Sequence, residues 1–153
     1  MSKSRKWEIS GLSKKQTLSS ALKRIFNTRI KTLLRAIEKY FETGSVEALH
    51  EVRIGLRRVR YSLELFFCCI DKNVFFKFYK NIEELQDLSG LVRDIDIMKI
   101  NIESISSDKN IDIPASITEE LESRRKNLED DLRLKLMKFT RSKTLKEFNK
   151  LLD

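Results

Sequence analysis

The chain has 153 residues, 41% hydrophobic and 35% charged, with a formal net charge of +8 at pH 7. That length suits one domain with one core, at about 100 to 200 residues per domain, and 4 Gly with 1 Pro supply little turn-forming material, so few, long helices are expected. No stretch approaches the roughly 18 apolar residues of a membrane span, and MSKSRKWEISGLSKK lacks the apolar run of a secretory signal. Neither membrane insertion nor secretion is expected.

Taken in chain order, residues 1–12 are polar apart from Trp7, Ile9 and Leu12 and read as a loose arm or a short packed lead-in, followed by one helical domain over 13–153. From Ser13 to Phe41, Leu18, Leu22, Ile25, Phe26, Ile30, Leu33, Ile37 and Tyr40 recur at three- and four-residue steps, which predicts an amphipathic helix with Arg24, Lys31 and Arg35 on its far side. Gly44 is placed to end it and Ser45 to cap the next helix, Val46 to Ile70. Asp71, Lys72 and Asn73 break the pattern before a third helix, Val74 to Leu88, with Phe75, Phe78, Ile82 and Leu85 inward. A fourth, Leu91 to Ile105, is either continuous with it or kinked at Ser89 and Gly90. SSDKNIDIP is the clear loop, and Ile117, Leu121, Leu128, Leu132, Leu136 and Phe139 mark a long fifth helix that breaks near Ser142 before a short tail helix. The expected fold is all-α, an antiparallel bundle of four to six helices.

Charge is unevenly distributed. Residues 1–80 carry 18 Lys and Arg against 7 Asp and Glu, a net of +11, whereas residues 81–153 carry 13 against 16, a net of −3. Clustered positive charge attracts polyanions and releases their counterions, so nucleic acid, an anionic surface or a phosphate polymer is the implied partner.

The densest stretch is ALHEVRIGLRRVRYSL, residues 48–63. At about 100° per residue, His50, Arg53, Arg57 and Arg60 fall within roughly an 80° sector of the helix, while Arg58 points away. The row borders the core stripe of Leu49, Val52, Leu56, Val59, Leu63 and Phe66. Charges on an amphipathic helix are usually a solvated face. Here, however, every basic residue other than His50 is Arg in a Lys-rich chain, Glu51 lies off the row, and Glu47 and Glu64 lie at its ends. Like charges one turn apart repel by a few tenths of a kcal/mol per pair, roughly, which an anion lying across them would offset. Guanidinium groups at such a border make paired bonds to phosphate or carboxylate oxygens.

His50 has no His, Cys, Asp or Glu partners at metal-ligand spacing, so a capping, packing or phosphate-contacting role is expected in place of a metal or catalytic one. Cys68 and Cys69 are adjacent, flanked by Phe66, Phe67 and Ile70, and are expected to be reduced and mostly buried in a cytosolic protein.

LHEVRIGLRRVRYSLELF resembles the signature of the CHAD family, the conserved histidine α-helical domain, close to H-x-x-R-V-x-x-R-R-L-R with an apolar tail; His50, Arg53, Arg57, Arg58 and Arg60 match it. LSGLVRDIDI is similar to a second family element, L-G-x-x-R-D-x-D-V, with Gly90, Arg93, Asp94 and Asp96 in register and Ile97 in place of Val. The resemblance implies a domain that binds inorganic polyphosphate through a basic channel, in the cytoplasm and at polyphosphate granules. It implies His50, Arg53, Arg57, Arg58, Arg60 and Arg93 as ligands, with Lys31 and Arg35 added from the first helix. Asp94 and Asp96 are read as positioning groups, by pairing with arginines of the second helix. No cofactor, metal or catalysis is expected: the related CYTH triphosphatases need an E-x-E-x-K strand motif that this chain lacks. Family members usually carry a second bundle with a further histidine block, which nothing after Pro114 supplies, so residues 13–140 correspond to the N-terminal half of the family domain. A homodimer restoring two bundles is the favoured account. The competing functions are a basic helical nucleic-acid-binding protein, which usually shows more stacking aromatics than Tyr61 alone, and a module for an acidic protein partner.

Overall fold

The computed structural model describes residues 8–153, and the part of the expected arm that includes Trp7 lies outside them. Among the described residues there are five α-helices and no strands: α1 Leu18–Thr43, α2 Val46–Leu65, α3 Lys72–Lys109, α4 Ala115–Thr140 and α5 Lys143–Lys150, with a 3-10 turn at Phe67–Cys69. Each starts or stops for a local reason. The Thr17 hydroxyl accepts from the Ser20 amide at the head of α1. Gly44, at φ 59°, closes it with its own amide donating to the Tyr40 carbonyl at 2.9 Å. The Ser45 hydroxyl then accepts from the Ala48 amide at 3.1 Å to start α2. Asp71 caps α3 by accepting from Asn73 and Val74, and Ser142 caps α5 by accepting from Leu145.

α3 decides one open alternative and corrects one expectation. It runs through Ser89 and Gly90 as 38 residues, so the third and fourth helices are continuous. It also runs on to Lys109, which shortens the loop to Asn110–Pro114; Asn110, at φ 49°, takes the left-handed C-terminal position, where an Asn side chain is tolerated. At about 1.5 Å per residue α3 is roughly 57 Å long, nearly twice the 20-residue α2, so its C-terminal end outruns α2. There Ile100, Ile105 and Ile117 remain exposed, and Ile117 is not the core residue its spacing suggested.

α1 packs on α2, α2 on α3 and α3 on α4, whereas α1 and α4 meet only narrowly. The core is one cluster to which every helix contributes. α5 seals one end: Phe148 stacks on Phe78 at 4.1 Å between ring centroids and meets Phe26 edge-on at 5.1 Å. Cys68 and Cys69 are exposed free thiols, contrary to the expectation of burial, because the chain leaves the α2 stripe at Leu65 and the 3-10 turn faces them outward.

α1 and α2 touch most closely at Gly55, where an added Cβ would lie 3.0 Å from Leu33 Cδ1 and 3.3 Å from Leu33 Cα. A branched side chain has no room against that backbone. Gly55→Val is expected to destabilise by about 2 kcal/mol, the usual range for overpacking, read as a lower urea midpoint at unchanged slope.

Candidate functional site

The basic stretch lies on α2 and divides by its neighbours. His50, Arg57 and Tyr61 follow one another at helical steps along the outermost line and are all exposed. Arg53 and Arg60, on the edge towards α3, are partly buried. Arg53 donates through Nη1 to the Ser89 and Gly90 carbonyls at 3.2 and 3.3 Å, so the two family-like sequence blocks touch at this point. Arg60 donates through Nε to the Tyr79 hydroxyl at 3.0 Å and to Glu64 at 3.1 Å, and through Nη2 to Glu83 at 3.3 Å; its guanidinium also lies 5.4 Å from the Tyr79 ring centroid. Burial works to lower the Arg60 pKa, but the bonds to Tyr79 and Glu64 outweigh it and the net direction is up.

These contacts fix an antiparallel register in which Arg53 is level with residues 89 and 90 and Arg60 with residue 83. By the same register Arg93, one turn further along α3, is level with His50, one turn earlier on α2. Arg53 and Arg60 therefore meet α3, whereas His50 and Arg57 stand on the adjoining outer line of α2. Other expected ligands lie elsewhere. Arg58 faces α1 on the opposite side of α2. Lys31 is exposed on the outer side of α1, and Arg35 lines a groove between α1 and α4 with Glu38. Among the described residues no group of three His, Cys, Asp or Glu side chains has the placement of a metal site.

The two aspartates separate as well. Asp96 is buried and pairs with Arg125 of α4, Nε to Oδ1 at 2.5 Å, instead of with an arginine of α2. The contact joins α3 to α4. Arg125 also bonds Glu129 at 2.6 Å, and Glu129 accepts from the Tyr40 hydroxyl at 2.7 Å. The hydrogen bond to Asp96 raises the Arg125 pKa against the effect of burial, while burial and then the bond to Glu129 raise that of Tyr40. Asp94 is exposed on the other side of the helix. Arg29 and Arg125 were not singled out from sequence. Arg29 has the mark used for α2, a guanidinium at the border of an apolar stripe, whereas Arg125 sits among charged neighbours in ESRRKNLEDD and nothing local distinguishes it.

The described residues form an all-helical bundle in which arginines of α2 border the core, and no helix among them is long and apolar enough to cross a membrane. The chain belongs to the CHAD domain family, whose model matches residues 3–102 and so includes both blocks. CHAD domains are associated with polyphosphate binding and are generally non-catalytic. No curated protein and no solved structure matches the chain.

Cutting the Asp96–Arg125 pair leaves a mostly buried guanidinium with Glu129 alone. Asp96→Ala is expected to cost roughly 3 kcal/mol by denaturant unfolding, and an Asp96→Ala, Arg125→Met double variant should recover part of that loss.

Proposed function

We propose that this protein binds inorganic polyphosphate, without chemistry, along the α2–α3 seam. The observation that carries this reading is the division of labour among the cations. Arg53 and Arg60 reach sideways to α3, while His50 and Arg57, which alternate with them along α2, stand exposed and belong to no ion pair among the described residues. A polymer with a charge on every phosphate can lie along such a line and make a charge-assisted bond at each helical turn. Arg93 extends the line on α3, and Arg53 joins it with the donors its carbonyl bonds leave over. Arg60 must exchange Glu64 or Glu83 for phosphate, which makes it the weakest ligand of the set. Arg58, Lys31 and Arg35 add to the long-range potential that concentrates the polymer. Nucleic acid is the less favoured ligand, because Tyr61 is the one exposed aromatic on this line and several stacking platforms are usual for single strands. A cytoplasmic site at polyphosphate granules follows from the same reading.

His50 and Arg57 are the clean probes, since neither holds a helix in place. A His50→Ala, Arg57→Gln variant is expected to keep its melting temperature and to lose polyphosphate affinity, with the log–log salt slope falling by about 0.7 per lost contact, the single-strand value. Unchanged affinity in that variant, or equal binding of single-stranded nucleic acid at physiological salt, would sink the proposal.

Self-association belongs to the same proposal. The groove between α1 and α4 encloses about 860 Å³ over Leu34, Phe41, Leu134 and Met137. Its lining also carries Arg35, Glu38 and Glu42 on α1, Arg133 on α4 and Arg141 just past the end of α4, so a second copy seated there meets charges of both signs around an apolar floor. The mass in solution should be that of two chains, and Leu134→Asp should reduce it to one; a single-chain mass at every concentration rules the dimer out.

A further inference from the structure

At the end of the bundle where α1 begins, α2 stops and α3 starts, large apolar side chains face water. Leu65, the last residue of α2, is 76% exposed, Phe76 in the second turn of α3 is 60% exposed and Leu18, the first residue of α1, is 60% exposed. Phe67 of the 3-10 turn and Leu151 just past α5 are exposed as well. Two chains of contact meet at that turn, which also carries the exposed thiols of Cys68 and Cys69. Phe67 lies edge-on to Phe75 at 5.7 Å between ring centroids, and Phe75 edge-on to Phe76 at 5.3 Å. On the other side Leu18, Leu22, Cys69, Phe148 and Leu151 line a pocket of about 310 Å³. Single exposed apolar residues are ordinary, but a continuous patch marks a contact with protein or membrane.

The charges around the patch decide between those two. Residues 13–24, 65–77 and 143–153, which build this end, carry nine Lys and Arg against three Asp and Glu. Lys14, Lys15, Lys72, Lys77, Lys146 and Lys150 are exposed and belong to no ion pair among the described residues. The nearby acids are engaged within the fold: Asp71 caps α3 by accepting from the Asn73 and Val74 amides, Glu147 pairs with Lys143, and Glu64 is held by Arg60 and Tyr79. An apolar centre with a cationic rim matches an anionic lipid surface, where Leu and Phe enter the acyl boundary and lysines run their stems along it to keep their charge at the headgroups. Each such lysine adds attraction to a negatively charged leaflet. Because the apolar side chains come from helix ends and a turn, they offer no continuous ridge for a partner helix to pack on, and a fluid bilayer needs none.

We infer that this end of the bundle docks reversibly on an anionic membrane surface, with Leu65, Phe67 and Phe76 entering the interface and the surrounding lysines at headgroup level. The contact is peripheral, since no helix among the described residues is long and apolar enough to span. The inference does not rest on polyphosphate binding, because it uses none of the cations of the α2–α3 row. His50 lies about 22 Å along α2 from Leu65, at 1.5 Å per residue, so end-on docking keeps the exposed line of α2 clear of the lipid.

The test is co-sedimentation of the full chain with vesicles of phosphatidylcholine mixed with phosphatidylglycerol, against vesicles of phosphatidylcholine alone. The chain should sediment with the mixed vesicles and stay in solution with the neutral ones. Leu65→Ser and Phe76→Ser should each weaken partitioning roughly tenfold, the loss of one apolar side chain withdrawn from water, and Lys72→Glu with Lys77→Glu should weaken it further. Both apolar positions are exposed, so the melting temperature and the polyphosphate affinity of the Leu65→Ser, Phe76→Ser variant should be unchanged. A second reading needs no variant at the patch: in a Cys69→Ser chain, alkylation of Cys68 by a polar maleimide should slow when mixed vesicles are added. Failure to sediment with mixed vesicles overturns the inference. So does sedimentation that the Leu65→Ser, Phe76→Ser variant leaves unchanged, which would mean adhesion by charge alone. A fall in the mass in solution of that variant would mean that a second copy of the chain covers this end in place of lipid.

Discussion

A partly buried arginine crosses each of the four seams that join α1, α2, α3 and α4 in a ring. Arg29 reaches from α1 to the Arg58 carbonyl of α2, and Arg53 from α2 to the Ser89 and Gly90 carbonyls of α3. Arg125 reaches from α4 to Asp96 of α3, and Arg133 from α4 to the Phe41 carbonyl of α1 at 3.1 Å while lying over the Tyr40 and Phe41 rings. A helix carbonyl already accepts one bond from its own ladder and has a second lone pair to offer, so a guanidinium can join two helices without a carboxylate. The ring closes through Tyr40, whose hydroxyl meets Glu129 beside Arg125. The basic surface depends on this arrangement. Arginines used as crosspieces are fixed in direction, and those left over on α2 project from a backbone that cannot roll.

Where the chain turns was legible because turn chemistry is local. Gly44 and Ser45 act within a few residues of themselves, and so do Asp71 and Ser142. The misreadings share a different cause, which is tertiary context. Sequence left Ser89 and Gly90 open between a kink and a continuous helix for the same reason: Ser89 is fully buried and both carbonyls take the Arg53 guanidinium, so α3 is supported where propensity is weakest. Ile117 has the correct spacing for a core position, yet it lies where α3 and α4 have outrun α1 and α2 and there is nothing left to bury it.

The site was half legible for a related reason. Helical angle placed His50, Arg53, Arg57 and Arg60 on one side of α2 and sent Arg58 to the other, and the contacts agree with that division. Angle alone says nothing about which neighbour lies on each side. It did not reveal that Arg53 and Arg60 are engaged by α3, nor that Arg58 meets Arg29. Lys31 and Arg35 were grouped with the row by charge, although α1 carries them away from α2. The partner of Asp96 was out of reach because it lies 29 residues along the chain, on a helix whose own pattern marks no position as special.

That last contact bears on how the family pattern works in this chain. The family match ends at residue 102, inside α3, yet Asp96 within it is held by Arg125 beyond it. Position is therefore relayed across the bundle: α4 fixes α3 through Asp96, α3 fixes α2 through Arg53, and α2 presents His50 and Arg57. The relay is polar at each step, and mostly buried at Asp96. Its geometry is accordingly directional, in a way that the apolar stripe of Phe78, Ile82 and Leu85 is not. Apolar burial is non-directional in its driving force, whereas the bonds of a guanidinium to two carbonyls have a direction. The hydrophobic stripe brings the helices together, and the arginine contacts set the register in which Arg53 of α2 lies against Ser89 and Gly90 of α3 and Arg60 against Tyr79 and Glu83.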